Sequence, residues 1–430
     1  MTFFEQCTQC SVIVDNGSGV FFQPMTKEYS YILTAKHNLY NDAKQGSYKE
    51  PKDKDAIKIT FCGGNDKQII DKYEHDSLDI AILKIDKMEF ESPYKEFIQP
   101  NNGDVFKFYG YPQNRRRQTE QIKYFDLKVG HMSSCQIVAE NESYYNQNDV
   151  AGCSGGGVFK QDRDNFYLVG IECRMDAESS SEDNNIRLRF IFIEAFDEIV
   201  EQNKSQLEPL FPPYMNDFNL LVENIFLFTG LMVEKEKITN ILKSIVETYI
   251  KDTVVPKQIF DKYNIGLLTK DEYKNELTNK ELWTRYLEFL VISYLIDSES
   301  ITIDQIDMIY KKRKFLFAKT NNWTELVKEL LSYDIKSLEK NGTVCIACDN
   351  DRTPIVCEIP SQLVRKINII PSPKMKINQA ISNPIEDLNI QHIHNFQKKI
   401  LENQGNLSEL GITEIQMRII DEAKTIFKEN

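Results

Sequence analysis

No stretch of this 430-residue chain approaches the roughly 18 uninterrupted apolar residues that a membrane-spanning helix needs. Its opening run, MTFFEQCTQCSVIVD, lacks the basic-then-apolar order of a secretory leader. A soluble, cytoplasmic protein is therefore expected, with no membrane partner. Cations are in deficit as well: 52 Lys and Arg stand against 65 Asp and Glu, a net charge of -13. Phosphate affinity comes from clustered Lys and Arg, so the balance argues against direct nucleic-acid binding. The one conspicuous basic run, Arg115-Arg116-Arg117, falls in a predicted loop and reads as a solvated turn. A disulfide framework is missing too. The nine cysteines are an odd number scattered over a large chain, which predicts reduced thiols. Neither an internal repeat nor a low-complexity tract is present.

What the chain does have is length and two grammars. At 430 residues with 41% apolar residues it is too long for one ordinary core, and more than one domain is expected. Up to about residue 192, short apolar runs (CSVIVD, GVFFQP, YSYILTA, AIKITFC, DIAILKI, DVFKFYGYP, GGGVFK, FYLVGIEC, RLRFIFI) are punctuated by Asn-Gly, Gly-Gly and Pro. That pattern predicts many short strands in an all-β sandwich or barrel. FIEAFDEIVEQNK then reads as a closing helix. The expected first domain is residues 1–204, followed by a Pro-rich linker at 205–214.

Beyond the linker the period changes. FNLLVENIFLFTG, EKITNILKSIVETYIKD, NKELWTRYLEFLVISYLID and NNWTELVKELLSYDIKSLEK repeat apolar residues at helical spacing, giving a helical domain at 215–340. The stripe Trp283, Tyr286, Leu287, Leu290 and Tyr294 reads as helix core. In residues 341–430, GTVCIACDNDRTPIVCEIP predicts a small β-hairpin with a polar turn. PIEDLNIQHIHNFQKKILENQ and SELGITEIQMRIIDEAKTIFKEN predict helices.

Three short motifs stand out in the β-rich half. YILTAKHNL puts His37 just after a strand. SLDIAILKI puts Asp79 ahead of one, with Asp76 as an alternative acid. DVAGCSGGGVF surrounds Cys153 and Ser154 with glycines, where the backbone can turn sharply and leave N–H groups free. Each alone fits a plain structural role: a satisfied histidine, a capped turn, a glycine turn. Together, in the order His, Asp, Ser, they form a set able to carry out nucleophilic catalysis. A serine hydroxyl needs a base to take its proton during attack, and the base needs an acid to hold its tautomer.

At these residues the first half resembles the trypsin-like, chymotrypsin-fold serine proteases, over about residues 5–200. TAKH is similar to the family's Thr-Ala-Ala-His, DIAIL to its Asp-Ile-Ala-Leu, and GCSGG to its Gly-Asp-Ser-Gly-Gly. The resemblance implies a double β-barrel and a serine endopeptidase. It assigns His37 as base, Asp79 as orienting acid and Ser154 as nucleophile, with the N–H groups of Gly152 and Ser154 as the oxyanion hole. The frame favours Ser154 over Cys153, because Ser154 is followed directly by Gly155-Gly156 and Gly152 stands two before it.

The departures from the family also carry expectations. Cys153 stands where secreted members place the aspartate that pairs with a newly cleaved N-terminus, so maturation of that kind is not expected. Asn38 replaces the cysteine after the histidine, so the neighbouring disulfide is missing. Asn148, Asp149, Cys173 and Arg174 fall at positions implied to shape the substrate pocket, with Glu172 also replacing a small residue, and a polar or basic preference is implied. The alternative reading is a pseudoprotease whose barrel binds protein, or an adaptor whose helical half is the functional part.

No cofactor and no metal are expected. Cys345-x-x-Cys348 with Cys357, completed by His392 or His394, suggests zinc, but the second ligand pair of a structural site is absent and buried free thiols are the competing reading. Cys7-x-x-Cys10 is ambiguous in the same way. The N-terminal segments also resemble the trypsin-like members of bacterial ABC-ATPase three-component defence systems. That resemblance implies an effector acting on a protein substrate, gated through its C-terminal region by a partner such as an ATPase sensor. The polar stretch 176–185 is the expected mobile loop near the pocket.

Overall fold

A computed structural model describes the protein except for residues 45–46, 134, 142–146, 176–186, 229–233, 321, 329–337, 340, 350–353, 355, 360–387, 408–409 and 428–430. The chain divides into two compact units, Met1–Pro213 and Tyr214–Asn430. The stretch 176–185 lies outside the described residues.

The first unit is all-β apart from short helices. It opens with helix α1 (Phe3–Cys10), followed by strands β1 (Ser11–Val14), β2 (Gly17–Phe22) and β3 (Tyr29–Thr34). A two-stranded ribbon, β4 (Tyr40–Lys44) and β5 (Ser47–Pro51), precedes β6 (Ile59–Phe61), β7 (Asp66–Lys67), β8 (Ile69–Glu74) and β9 (Ala81–Asp86). These build a barrel-like sheet in the order β7-β6-β1-β2-β3-β9-β8. The second sheet contains β10 (Tyr94–Lys95), β11 (Val105–Gly110), β12 (Lys123–Ser133), β13 (Gln136–Asn141), β14 (Gly157–Asp162), β15 (Asn165–Met175) and β16 (Arg187–Phe192). Its order is β10-β15-β14-β11-β12-β13-β16, and an additional β15–β16 pairing closes it. Closure removes the free edges that would otherwise template aggregation.

One continuous apolar core runs through both sheets, from Cys7 and Val12 through Phe108 and Val158 to Leu210. The stretch expected as a linker, 205–214, shares in this core. Leu207 and Leu210 are buried in it, and the backbone around them is tied to the first sheet. The Met25 N–H donates to the Pro209 carbonyl, and the Glu208 N–H donates to the Tyr31 hydroxyl, which donates back to the Glu208 carbonyl. Proline removed N–H donors here, but the carbonyls that remain are fixed by tyrosines. The stretch is a strap on the barrel.

The second unit is mainly helical. Its longest helix, Lys280–Asp297, buries Leu282, Trp283, Tyr286, Leu287 and Leu290, while Tyr294 is half-buried and stacks on Tyr249. The expected hairpin beyond residue 341 is replaced by something else. Strands β17 (Arg313–Ala318), β18 (Thr343–Cys348), β19 (Glu358–Ile359) and β20 (Asn389–His392) form one sheet in the order β17-β18-β20-β19. The segments read as hairpin partners, β18 and β19, are not neighbours; β20 lies between them, parallel to β18. β20 itself occupies residues read as helix, NIQH, before the helix His394–Glu402. Fully buried parallel strands read as short apolar runs without alternation, and sequence pattern cannot pair them. Because β17 pairs with β18, the sheet also straddles the expected division at 340/341.

Candidate active site

His37 sits in a single 3-10 turn, Lys36–Leu39, directly after β3. Its backbone N–H donates to Asp79 Oδ1 at 2.9 Å, and its ring Nδ1 meets Asp79 Oδ2 at 2.8 Å. The two-point grip sets the ring's direction and leaves Nε2 as the nitrogen able to exchange a proton. The loop ahead of Asp79 is held by His75, a buried residue four positions earlier whose Nδ1 accepts the N–H groups of Ser77 and Leu78 while Nε2 faces Glu198. Behind Asp79, the Cys173 thiol donates to its backbone carbonyl at 3.2 Å, and the Tyr48 hydroxyl bonds its carboxylate. Burial alone would push His37 down, but the hydrogen bond and charge of Asp79 hold it above its ordinary value. Burial would likewise raise Asp79, and His37 outweighs it, holding that carboxyl low. Asp76, the alternative acid, is exposed and accepts from Gln202 instead.

Ser154 lies in the glycine loop between the short helix Gln147–Val150 and β14. The glycines are dictated by space. Gly155 has φ +91°, and a Cβ there would come 2.0 Å from the Ser18 carbonyl oxygen. Three of the loop's N–H groups are spent internally or on β15: Cys153 to Val150, Gly155 to Glu172 and Gly156 to Cys153. The N–H groups of Gly152 and Ser154 have no acceptor among the described residues. Unpaired N–H groups on either side of Cys153 can receive an anionic oxygen if they converge.

Asn38, the residue after the histidine, clamps this loop to the first sheet. Its amide donates to the Ser154 carbonyl at 2.8 Å and to Thr34 Oγ1 at 3.1 Å. A Cβ at Gly17 would come 2.2 Å from that amide. Where the resembled family has a disulfide, Asn38 makes a hydrogen-bonded joint that Gly17 leaves room for.

The Ser154 hydroxyl donates to the Cys173 carbonyl at 3.3 Å; no hydrogen bond joins it to His37 among the described residues. It also lies within hydrogen-bonding reach of the Glu172 carboxyl. Glu172 is only 4% exposed, and a β-bulge between Glu172 and Arg174 sets its direction on β15. Burial pushes its carboxyl up to about 8, helped by the negative charge of Asp79 and opposed by His37 and Ser154. The sequence marked Glu172 only as an odd substitution; a charged residue inside an apolar strand run next to the site was the available signal. Cys153 is fully buried, and burial pushes its thiol up, away from thiolate chemistry.

The pocket positions scatter. Asn148 is exposed, Asp149 is paired with Lys123 at 3.1 Å, and Arg174 is half-buried. Cys173 turns its thiol to Asp79 and so supports the acid. In the second unit Cys345, Cys348 and Cys357 are buried free thiols, as are Cys7 and Cys10 in the first. Among the described residues no group of three His, Cys, Asp or Glu is placed to hold a metal ion. His392 and His394 are buried too, and burial with the nearby Arg285 pushes His392 down to about 3. Also among the described residues, no helix is long and apolar enough to cross a membrane.

Comparison with known proteins bears on the other end of the chain. No curated protein matches it. Residues 190–402, just under half of the sequence, match the model of C-terminal domain 4 of the ABC-three component (ABC-3C) systems. The match begins inside β16, includes the strap, and extends through the second unit to residue 402. Over those residues the chain is similar to the C-terminal domain 4 of the ABC-three component systems.

Proposed function

We propose that the N-terminal unit is a serine endopeptidase and the protein-cleaving effector of a bacterial ABC-three component defence system, working in the cytoplasm. The observation that carries this reading is the His37–Asp79 pair, held at two points, in the same unit as a serine whose loop leaves two N–H groups unpaired. In the proposed reaction Ser154 Oγ attacks a peptide carbonyl carbon while His37 Nε2 takes its proton. The resulting oxyanion is received by the N–H groups of Gly152 and Ser154. Collapse expels the amine with the proton returned by His37, and water then cleaves the acyl ester by the same path.

The Ser154 hydroxyl faces Cys173 and Glu172 rather than His37. On this reading that geometry is a resting form, since catalytic hydrogen bonds often tighten only with substrate bound. The domain match supports gating: an ATPase partner acting on the C-terminal domain biases Ser154 toward His37. The same hydroxyl geometry favours the rival, a pseudoprotease that binds protein without cutting it.

Profiling of new protein N-termini in a native-like lysate separates the two. Cleavages made by the full chain with its ATPase partner and missing with Ser154→Ala are expected. Identical N-terminal profiles for both proteins would leave the binding-module reading.

A further inference from the structure

Gly152 has φ +92°, a setting that glycine enters and leaves at little cost. Something must therefore hold the loop if its N–H groups are to point to the same place. The Gly152 N–H shares a peptide with the Ala151 carbonyl, and the Ser154 N–H shares one with the Cys153 carbonyl. Both carbonyls are occupied, Ala151 by the Gln113 N–H at 2.8 Å and Cys153 by the Gly156 N–H at 2.8 Å. The carbonyl between them, Gly152, accepts from Ser18 Oγ at 2.9 Å and from Arg116 Nη2 at 3.3 Å.

Arg116 does more than touch the loop. Its Nη1 donates to the Asp15 carbonyl at 2.6 Å, its Nη2 also to the Gly17 carbonyl at 2.9 Å, and its Nε to the Tyr111 carbonyl at 3.4 Å. One planar fork thus ties the β1–β2 turn, the end of β11 and the serine loop together. It also anchors the turn that carries the Gln113 N–H. A lysine has neither the plane nor the number of donors to do this.

The resemblance to trypsin-like proteases implies a different device at this place, an aspartate paired with a freed N-terminus. Here Cys153 is buried and uncharged. The residues ahead of β1 form helix α1, with Cys7 and Cys10 buried. We propose that Arg116, backed by Ser18, is the positioning residue that presets the Gly152 and Ser154 N–H pair, so that the site is formed in the uncleaved chain. The inference rests on the acyl-transfer reading and names what that reading needs in place of a maturation cut.

The test uses the full chain and a fluorophosphonate probe, which bonds Ser154 Oγ to phosphorus and releases fluoride as His37 takes the proton. Saturation kinetics separate the binding constant from the limiting rate. Removing one donor of such a pair lowers the rate about 10²- to 10³-fold, and misplacing it is expected to cost less. Arg116→Ala is expected to lower the melting temperature and, in the protein that stays folded, to lower the limiting rate about 10- to 100-fold with the binding constant nearly unchanged. Arg116→Lys should recover only part, Ser18→Ala should lose less, and an N-terminal fusion should change nothing. A purely structural role would instead lower the fraction of protein that reacts and leave the rate of that fraction alone.

Wild-type rates in folded Arg116→Ala, or reactivity that needs a free N-terminus, would overturn the proposal while leaving the protease reading intact. If the wild type gives no adduct even with the ATPase partner present, the protease reading falls, and crystal structures of wild type and Arg116→Ala decide the positioning role. A Gly152 peptide that turns only in the variant upholds it; an unmoved loop overturns it.

Discussion

The two units bury polar side chains for different ends. In the first, Ser18, Thr34, Asn38 and Arg116 spend their donors on backbone carbonyls, and most of those carbonyls belong to the serine loop or the turns around it. In the second, one group of buried polar side chains bond one another. Arg285 grips Glu281 and Glu288, Gln397 reaches Glu288, Asn395 reaches Gln391, and Lys319 pairs with Glu276. A side chain bonded to a backbone carbonyl fixes the direction of a peptide, and hence of the N–H groups next to it. A side chain bonded to another side chain fixes which elements are neighbours. The first pattern builds a site and the second a register.

That contrast breaks most visibly at Asp79. Asp79→Asn keeps the shape but leaves His37 in the wrong tautomer, and turnover should fall by about four orders of magnitude in a peptide-cleavage assay, with the melting curve little changed. The second unit should answer in the opposite sense. Glu288→Ala leaves Arg285 buried without one of its partners, at a cost of roughly 3–5 kcal/mol, read as loss of the C-terminal transition in denaturant while the N-terminal one stays.

Glu172 sharpens the comparison because it is a buried carboxyl that belongs to the site. Its folded pKa of about 8 lies above the ordinary 4.5, so the folded protein holds a proton there that the unfolded chain releases. The stability linked to that proton is full below pH 4.5 and is lost as the pH rises toward 8. The slope is about 1.4 kcal/mol per pH unit. Glu172→Gln should remove the slope, so its melting temperature should exceed the wild type's by more at pH 8 than at pH 5. A smaller effect is expected at Asn38. Asn38→Ala removes the clamp on the Ser154 carbonyl, which the Ser18 N–H still holds at 2.7 Å. The loss should be about 1–2 kcal/mol of stability in the first unit, measured by denaturation.

The same contrast explains what could be read in advance. Strands that alternate or stand between glycine turns, such as GVFFQP and DIAILKI, are legible because each carries its own period and its own stops. The sheet of the second unit is less legible: TVCIAC reads as a strand and NIQH as helix, and their pairing is set by crossovers that leave no local mark. In the site, His37 and Asp79 were legible as motifs, and the structure brings them together. Arg116 was read as a solvated basic turn. Nothing in a run of three arginines says that the middle one faces four carbonyls, since those acceptors come from three separate segments.

The most direct test of the central claim is the mass of the intact protein after exposure to a fluorophosphonate, with the adduct mapped by peptide sequencing and its rate followed across pH. A single adduct on Ser154 is predicted, absent in Ser154→Ala and kept in Cys153→Ala. Its rate should rise with pH through an apparent pKa above 6.5, because Asp79 raises His37 and only the neutral ring can take the proton. No adduct with the ATPase partner present, or an adduct that survives Ser154→Ala, would contradict the account.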